Sequence, residues 1–241
     1  SSDLTVSSDI PGTTFSWSNG LGTNSNVTVS PTATTTYSVT GTTPEGCTGT
    51  AEVTVTVHPL PNITATATPT EICLGESSNL MVSSDIPGTT FNWSNGLGTN
   101  SNLTVSPTTT TTYSVTGTTP EGCTGTAEVT VTVHPLPNIT ATATPTEICL
   151  GESSNLMVSS DIPGTTFSWS NGLGTNSNVT VSPTATTTYS VTGTTPEGCT
   201  GTAEVTVTVH PLPTITASAT PTDICLGESS HLMVSSDIPG T

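Results

Sequence analysis

A period of 76 residues constrains the fold of this chain more than any other feature of its sequence. Residues 59–134 and 135–210 align without gaps and differ only at Asn92/Ser168, Leu103/Val179 and Thr109/Ala185. Residues 1–58 match the last part of this unit, and 211–241 match its first part. A repeat of this length is typical of one folded domain per repeat. We therefore expect a partial domain over 1–58, complete domains over 59–134 and 135–210, and the start of a fourth over 211–241. Because both ends fall inside a repeat, we also expect a longer array.

Acidic residues carry almost all of the charge. The chain has 17 Asp and Glu but no Lys or Arg, which gives a formal net charge of −17. Without cationic side chains it cannot neutralise phosphates, which disfavours nucleic acid and anionic membrane surfaces as partners. The sequence also lacks a run of about 18 apolar residues, so we expect no membrane insertion in this part of the protein.

Apolar residues alternate with Thr and Ser at period two, which is typical of half-buried β-strands. Turn signals such as IPG, NGLG and TPEG separate the alternating segments, and no segment has helical periodicity. Six or seven short strands per repeat indicate a small antiparallel β-sandwich, and six of them can be located. In the second repeat they are predicted at 62–68 (a sheet edge), 78–84, 89–95, 101–107, 109–118 and 123–134.

One face of each predicted strand carries the large apolar residues, and the other carries Thr and Ser. Trp93, Tyr113 and Val115 point inward in this pattern, so the tryptophans are expected in the core. β-branched Thr suits a pleated surface that is half exposed to water. The segment VHPLP at 133–137 places two prolines between consecutive domains, which predicts a short, stiff connector and a rod-like array.

Four strings recur along the chain: ICLGES at 72–77, FNWSNG at 91–96, LTVSPTTTTTYSVTGT at 103–118 and EGCTGTAEVTVTV at 121–133, with small variations. Together they resemble the Ig-like, PKD-like repeats of giant cell-surface proteins in Bacteroidota, which include gliding-motility adhesins and other cargo of the type IX secretion system. The resemblance covers every repeat and implies tandem Ig-like β-sandwich domains that are extracellular and non-catalytic. The DFGDG string of ordinary PKD domains is absent, so only a relative of that fold is implied.

Each full repeat contains two cysteines, at spacings of 26 and 50 residues that fit no zinc site. Disulfides formed in an oxidising compartment are the expected outcome, because small domains with thin cores often need covalent links. One pair per domain favours Cys73–Cys123 and Cys149–Cys199. The predicted strand order offers Cys73–Cys199 as the alternative, because these two cysteines lie at poles that face each other between neighbouring domains. The within-domain pairs are the first expectation.

Acidic side chains collect near the same poles. Glu71 and Glu76 lie near one pole, and stacked domains would bring them close to Asp161 and Glu197. Clustered carboxylates repel one another and suit Ca²⁺, so calcium at the junction is one expectation and solvated carboxylates are the other. No other cofactor is expected. His134 and its equivalents end the last strand beside the prolines, where they either finish the strand or act as a pH-sensitive hinge.

The sequence gives little support for a catalytic function. The histidines lie at junctions, no glycine-rich phosphate loop precedes a helix, and identical repeats suit building or binding more than turnover. We therefore expect no enzyme, but a structural stalk or extracellular fibre segment of a giant repetitive bacterial surface protein that gives reach and stiffness, with other copies of itself as partners. The alternative is an adhesive module in which each repeat contacts glycan, host or mineral surfaces. An aromatic patch exposed in every repeat would favour the alternative.

Overall fold

β-strands make up the regular structure of the computed structural model, which describes residues 1–237. None of these residues is helical, and the described chain therefore has no helix that could cross a membrane. Residues 238–241, the end of the predicted fourth repeat, lie outside the described residues. The sheet topology confirms the expected fold class of tandem Ig-like β-sandwiches.

The first repeat, residues 1–58, forms a two-stranded and a three-stranded sheet. Its strands are β1 (Ser2–Thr5), β2 (Thr14–Trp17), β3 (Asn26–Val29), β4 (Thr35–Thr42) and β5 (Thr48–Val55). β1 pairs with β3, and β4 lies between β2 and β5, all antiparallel. Inward residues of both sheets form one core: Leu4, Trp17, Val29, Tyr37 and Val39.

The second repeat, residues 59–134, contains the six predicted strands and one more. Its strands are β6 (Ile63–Thr68), β7 (Glu71–Cys73), β8 (Ser78–Ser84), β9 (Thr90–Trp93), β10 (Asn102–Val105), β11 (Thr111–Thr118) and β12 (Thr124–His134). One sheet has the order β10-β8-β6, which confirms the prediction that the first strand lies at an edge. The other has the order β7-β12-β11-β9.

The additional strand, β7, lies between the strands predicted at 62–68 and 78–84, where no strand was located from the sequence and a turn was expected at Cys73. After Thr68 the chain leaves the sheet of β6, and residues 71–73 join the opposite sheet by pairing in parallel with the end of β12. Ile72 is the buried residue of this three-residue strand. One apolar residue between polar neighbours is too short a pattern to be recognised as a strand in the sequence.

The third repeat, residues 135–210, has the same topology. Its strands are β13 (Ile139–Thr144), β14 (Glu147–Cys149), β15 (Ser154–Ser160), β16 (Thr166–Trp169), β17 (Asn178–Val181), β18 (Thr187–Thr194) and β19 (Thr200–His210). β13-β15-β17 and β14-β19-β18-β16 are the two sheets. Both contribute to one buried core: Ile139, Ala143, Ile148, Leu156, Val158, Trp169, Val181, Tyr189, Val191 and Val207. This is the core of a β-sandwich.

In the described part of the fourth repeat, β20 (Ile215–Thr220) and β21 (His231–Ser236) pair antiparallel. The segment equivalent to β7 is not a strand here, although residues 223–225 read DIC where β7 reads EIC. Both strands expose apolar side chains that are buried in the complete repeats, including Ile215, Leu232 and Val234.

The single tryptophan of each of the first three repeats is buried, as predicted: Trp17, Trp93 and Trp169. Each indole N–H donates a hydrogen bond to a backbone carbonyl seven residues later at 3.0 Å, which satisfies the one polar group of the side chain. Burial also raises the pKa of the Tyr113 and Tyr189 phenols above its ordinary value. These aromatic residues belong to the interior of the sandwiches.

The chain divides into two compact units. Unit 1 comprises Ser1–Thr70, Ser77–Ser106 and Thr111–Val131, and unit 2 comprises Glu71–Glu76, Pro107–Thr110 and Thr132–Thr241. The division does not follow the repeats, because Glu71–Glu76 belongs to unit 2 together with the whole third repeat. The four domain ranges expected from the sequence stay a prediction.

Leu156→Ala should destabilise the third repeat by about 2–5 kcal/mol, because Leu156 is fully buried and its removal leaves a cavity. In urea unfolding followed by tryptophan fluorescence, the share of the signal that belongs to Trp169 should move to lower urea. Met157→Ala, at an exposed neighbouring position, is the control and should shift the curve by less than about 0.5 kcal/mol. Equal effects of the two substitutions would contradict the inward face assigned to β15.

Candidate functional site

Cys73 ends β7 and is held there by backbone and side-chain hydrogen bonds. Residues 71–73 pair with 132–134, and the Leu74 N–H donates to the His134 carbonyl at 2.9 Å. The Cys73 N–H donates to Glu76 Oε2 at 2.9 Å, while the Glu76 N–H donates to the Cys73 carbonyl at 2.9 Å. This reciprocal pair closes a turn around Gly75, whose φ of 96° favours glycine. Cys73 therefore has a fixed backbone.

Cys199 lies in the tight turn that connects β18 to β19. The Thr195 N–H donates to the Cys199 carbonyl at 2.9 Å, and the Cys199 N–H donates to Thr195 Oγ1 at 3.2 Å. Gly198 takes a φ of 90° in this turn and donates its N–H to the Thr195 carbonyl at 3.0 Å. Cys199 is only 1% exposed, whereas the equivalent Cys47 in the first repeat is exposed.

Cys73 and Cys199 form a disulfide with a Cα–Cα distance of 5.5 Å and a sequence separation of 126 residues. Both cysteines belong to unit 2, although Cys73 comes from the second repeat and Cys199 from the third. The bond therefore links consecutive repeats. Of the two pairings that the sequence left open, this is the one between neighbouring repeats.

The within-repeat pairs, Cys73–Cys123 and Cys149–Cys199, do not form, and Cys123 and Cys149 have free thiols. The third repeat shows the reason. Cys149 pairs with His210 at the last residue of β19, whereas Cys199 precedes its first residue. The 11 residues of that strand separate the two by about 36 Å at roughly 3.3 Å per residue, far beyond the reach of a disulfide.

A histidine and a glutamate meet beside the disulfide. His134 Nε2 lies 3.0 Å from Glu71 Oε2, and the same pair recurs as His210 and Glu147 at 3.1 Å. The parallel register explains the contact, because β7 places Glu71 beside the last residues of β12. The expectation that the histidine finishes a strand is met, since His134 and His210 are the last residues of β12 and β19.

The acidic residues expected to bind calcium are only partly brought together. Glu71, Glu76 and Glu197 line one small cavity with His134, Cys73 and Gly198. Asp161 is instead occupied by the Asn138 N–H, which donates to its Oδ1 at 2.8 Å. Within residues 1–237, no group of three or more His, Cys, Asp or Glu side chains is arranged to hold a metal ion. Calcium binding by these four residues stays a prediction.

Sequence reasoning missed the contribution of β7 and of His134 to this site. The sequence contains only a partial signal: the third residue of EIC and the last residue of TVTVH both recur with the 76-residue period. A fixed spacing does not reveal that two segments 61 residues apart pair in parallel, because parallel pairing is a long-range property of the fold.

The fold and the junction together define a class of protein: a tandem array of Ig-like β-sandwich repeats in which a disulfide links one repeat to the next. No protein-family model matches the sequence, and no curated protein matches it. Distant structural similarity is found to several solved structures.

The N-terminal eight Ig domains of Down Syndrome Cell Adhesion Molecule, isoform 1.30.30, are 14% identical with a TM-score of 0.47 over 82% of this chain and 33% of that one. This chain thus spans about a third of that structure. A structure from a 1.5-MDa bacterial ice-binding adhesin is 20% identical, with a TM-score of 0.39 over 83% of this chain and 86% of that one. A Ca²⁺-stabilised ice-binding adhesin of an Antarctic bacterium is 19% identical, with a TM-score of 0.39 over 86% and 68%.

Thiol counting under denaturing conditions should find four free cysteines in the oxidised chain. Cys73→Ser should raise the count to five because Cys199 loses its partner, and Cys149→Ser should lower it to three. The two within-repeat pairs would leave only two free thiols, Cys47 and Cys225, which an Ellman titration separates clearly from four.

Loss of the disulfide should lower the free energy of unfolding by roughly 3–5 kcal/mol, because the bond closes a loop of 126 residues and restricts the unfolded chain. Urea unfolding of Cys73→Ser or of Cys199→Ser measures this loss. Cys149→Ser is the matched control, since Cys149 occupies the same position in β14 but is free and exposed. A loss of similar size in the control would show that the serine itself, rather than the bond, is responsible.

Proposed function

We propose that this chain is a structural segment of a stalk or extracellular fibre in a giant repetitive bacterial surface protein, where it gives reach and stiffness. The observation that carries the proposal is the disulfide between Cys73 and Cys199, which fastens the second repeat to the third. Neighbouring domains in one chain normally move relative to each other unless a large interface holds them. A covalent bond added to the backbone connection restricts that motion.

The connector between these repeats also restricts their relative motion. Pro135 and Pro137 fix two φ angles within three residues, and β12 continues as a strand up to His134, directly before them. Pro137 is buried, and Ile139, two residues later, already belongs to the core of the third repeat. Only Pro135 and Leu136 separate strand β12 from buried residues, so little free chain is left to act as a hinge.

The surface favours a structural role over adhesion by each repeat. All nine aromatic residues lie within the described chain: the Trp and Tyr residues are buried and the Phe residues half-buried, so the repeats share no exposed aromatic patch. The outer face instead carries threonines, including pairs such as Thr112 and Thr130 that hydrogen-bond across strands at 2.8 Å. A surface of hydroxyl groups suits a spacer, and the partners that we propose are other copies of the same protein rather than glycan, host or mineral surfaces.

An extracellular location follows from the chemistry of the disulfide, since such bonds persist in oxidising compartments and are rare in the cytosol. The string resemblance adds a surface protein of Bacteroidota, exported through the type IX secretion system, as the proposed source. The absence of Lys and Arg from all 241 residues suits such exposure, because proteases that cleave after cationic residues find no site. We propose no catalytic activity for these repeats.

Stiffness can be measured directly between two repeats. Spin labels attached through noncanonical amino acids at Glu128 and Glu204, equivalent exposed positions of the second and third repeats, should give a narrow distance distribution by pulsed electron paramagnetic resonance. Cys73→Ser should broaden it at least twofold, because the repeats are then joined only by the connector.

Labels at Thr140 and Glu204, both in the third repeat, provide the control and should keep their width in the same variant. A distribution between Glu128 and Glu204 that is equally narrow with and without the disulfide would remove the bond as a source of stiffness. A broad distribution in both forms would contradict the stalk itself.

A further inference from the structure

The two sulfur atoms of the junction disulfide differ in their access to solvent. Cys199 is 1% exposed in the turn between β18 and β19, whereas Cys73 is half-buried at the end of β7. Cys73 also lines a small cavity, together with His134 and Gly198. A thiolate that cleaves a disulfide attacks one sulfur and expels the other. Access therefore favours attack on Cys73, with Cys199 as the leaving group.

Carboxylates line the approach to Cys73. Glu71, Glu76 and Glu197 border the same cavity. Glu76 Oε2 accepts a hydrogen bond from the Cys73 N–H at 2.9 Å. It therefore lies within about 7 Å of the Cys73 Sγ, because N and Sγ of a cysteine are three covalent bonds apart. This distance is shorter than the Debye length of about 10 Å at 0.1 M ionic strength, so the carboxylate acts on any ion that enters the cavity.

The negative charge of the cavity has little to offset it. Lys and Arg are absent from the sequence, and the basic side chain that lines the cavity is His134, whose Nε2 lies 3.0 Å from Glu71 Oε2. A histidine adds positive charge only when it is protonated. An attacking thiolate is itself an anion. A further negative charge on the reagent is therefore repelled by the cavity, and an ammonium group is attracted.

We propose that the Cys73 Sγ is a charge-selective site of thiol–disulfide exchange, which reacts faster with small thiols that carry an ammonium group than with thiols that carry a carboxylate. The inference goes beyond the proposed function, because it concerns the chemistry of the junction whatever the array is used for. Thiols of net negative charge, such as glutathione, then open the junction slowly, whereas an aminothiol opens it faster.

The exchange proceeds in two balanced steps. The reagent thiolate first forms a bond to the Cys73 Sγ, the bond to Cys199 breaks, and Cys199 leaves as a thiolate that takes a proton from water. A second reagent thiolate then attacks the reagent sulfur of this adduct, which releases Cys73 and forms the reagent disulfide. Two reagent thiols thus lose two electrons, and the two cysteines gain them. Burial of Cys199 disfavours its thiolate and slows the first step for every thiol alike.

Peptide mapping identifies the sulfur that is attacked. The full chain with serine at the four free cysteines retains only the junction disulfide. Brief treatment with limiting cysteamine, an acid quench and cleavage after glutamate should place the cysteamine adduct on residues 72–76, ICLGE. An adduct found equally or mainly on residues 198–204, GCTGTAE, would overturn the assignment of Cys73.

Rates of reduction measure the selectivity in the same variant. Each rate constant is divided by that of the same thiol with bis(2-hydroxyethyl) disulfide, which is uncharged and corrects for the reactivity of the thiol. At about pH 8, above the range in which histidines ordinarily titrate, and about 0.1 M ionic strength, cysteamine should then exceed 3-mercaptopropionate by about fivefold or more. At about 1 M salt, where the Debye length is about 3 Å, the ratio should fall towards one. Equal corrected rates at the lower salt concentration overturn the inference.

Substitution of the carboxylates tests whether the selectivity belongs to the cavity. Glu76→Gln should lower the ratio of the two rates by about twofold, because one of three carboxylates is removed, and Glu71→Gln/Glu76→Gln should lower it further. A change in the turn around Cys73 would alter the rates of both thiols in the same proportion. The ratio therefore separates the effect of charge from a structural effect of the substitution.

Glu152→Gln is the matched control. Glu152 accepts the equivalent hydrogen bond, from the Cys149 N–H at 2.9 Å. Cys149 lies about 36 Å from Cys199, by the length of β19, so its turn is too far from the disulfide to act on the reagent. The control should leave the ratio unchanged. An equal decrease in Glu152→Gln and Glu76→Gln would overturn the inference, because the selectivity would then come from the net charge of the chain. The Glu128–Glu204 distance distribution of the oxidised chain does not depend on these rates, so failure here and failure of the stalk are distinguishable.

Discussion

The parallel pairing of β7 with the last three residues of β12 is the interaction on which the junction depends. It carries the chain from one sheet of the second repeat to the other and holds Cys73 at the end of a strand. It also places Glu71 against His134, at 3.0 Å. The pairing fixes the backbone of Cys73, so less conformational entropy is lost when the bond to Cys199 closes.

A chain without Lys and Arg must be held together by something other than ordinary salt bridges. Throughout residues 1–237 the ion pairs are limited to two histidine–glutamate contacts, each of which carries opposite charges only when the histidine is protonated. Hydrogen bonds between threonine hydroxyls and a core of Val, Leu, Trp and Tyr take the place of charge pairs within each sandwich. Between the second and third repeats, the disulfide adds a covalent link. The chain therefore combines two sources of stability that need no Lys or Arg: hydrogen bonds and apolar contacts within the repeats, and a disulfide between two of them.

Most of the fold was predictable from the sequence because its signals are local. The alternation around Trp93, Tyr113 and Val115 correctly assigns inward faces, and the six predicted strands of the second repeat are present. The site was less predictable because it is made of long-range contacts. β7 has three residues and pairs with a strand about 60 positions away, and nothing local distinguishes Cys123 from Cys199 as the partner of Cys73. Only the length of β12, which separates the two ends of a repeat, decides between them.

A disulfide between consecutive repeats places two demands on the sequence of a repeat. Its ICLG cysteine must reach the next repeat, and its EGC cysteine must reach the preceding one. Both demands fall on residues near the junction. The three differences between the complete repeats change no residue of the two turns that carry the cysteines. Asn92/Ser168 and Thr109/Ala185 are exposed, and Leu103/Val179 is a half-buried exchange of one aliphatic residue for another. The junction residues Glu71, Cys73 and Glu76 are identical in the next repeat. The requirement for a bond therefore bears on the cysteines and the turns that hold them rather than on Glu71, which the fourth repeat replaces with Asp223.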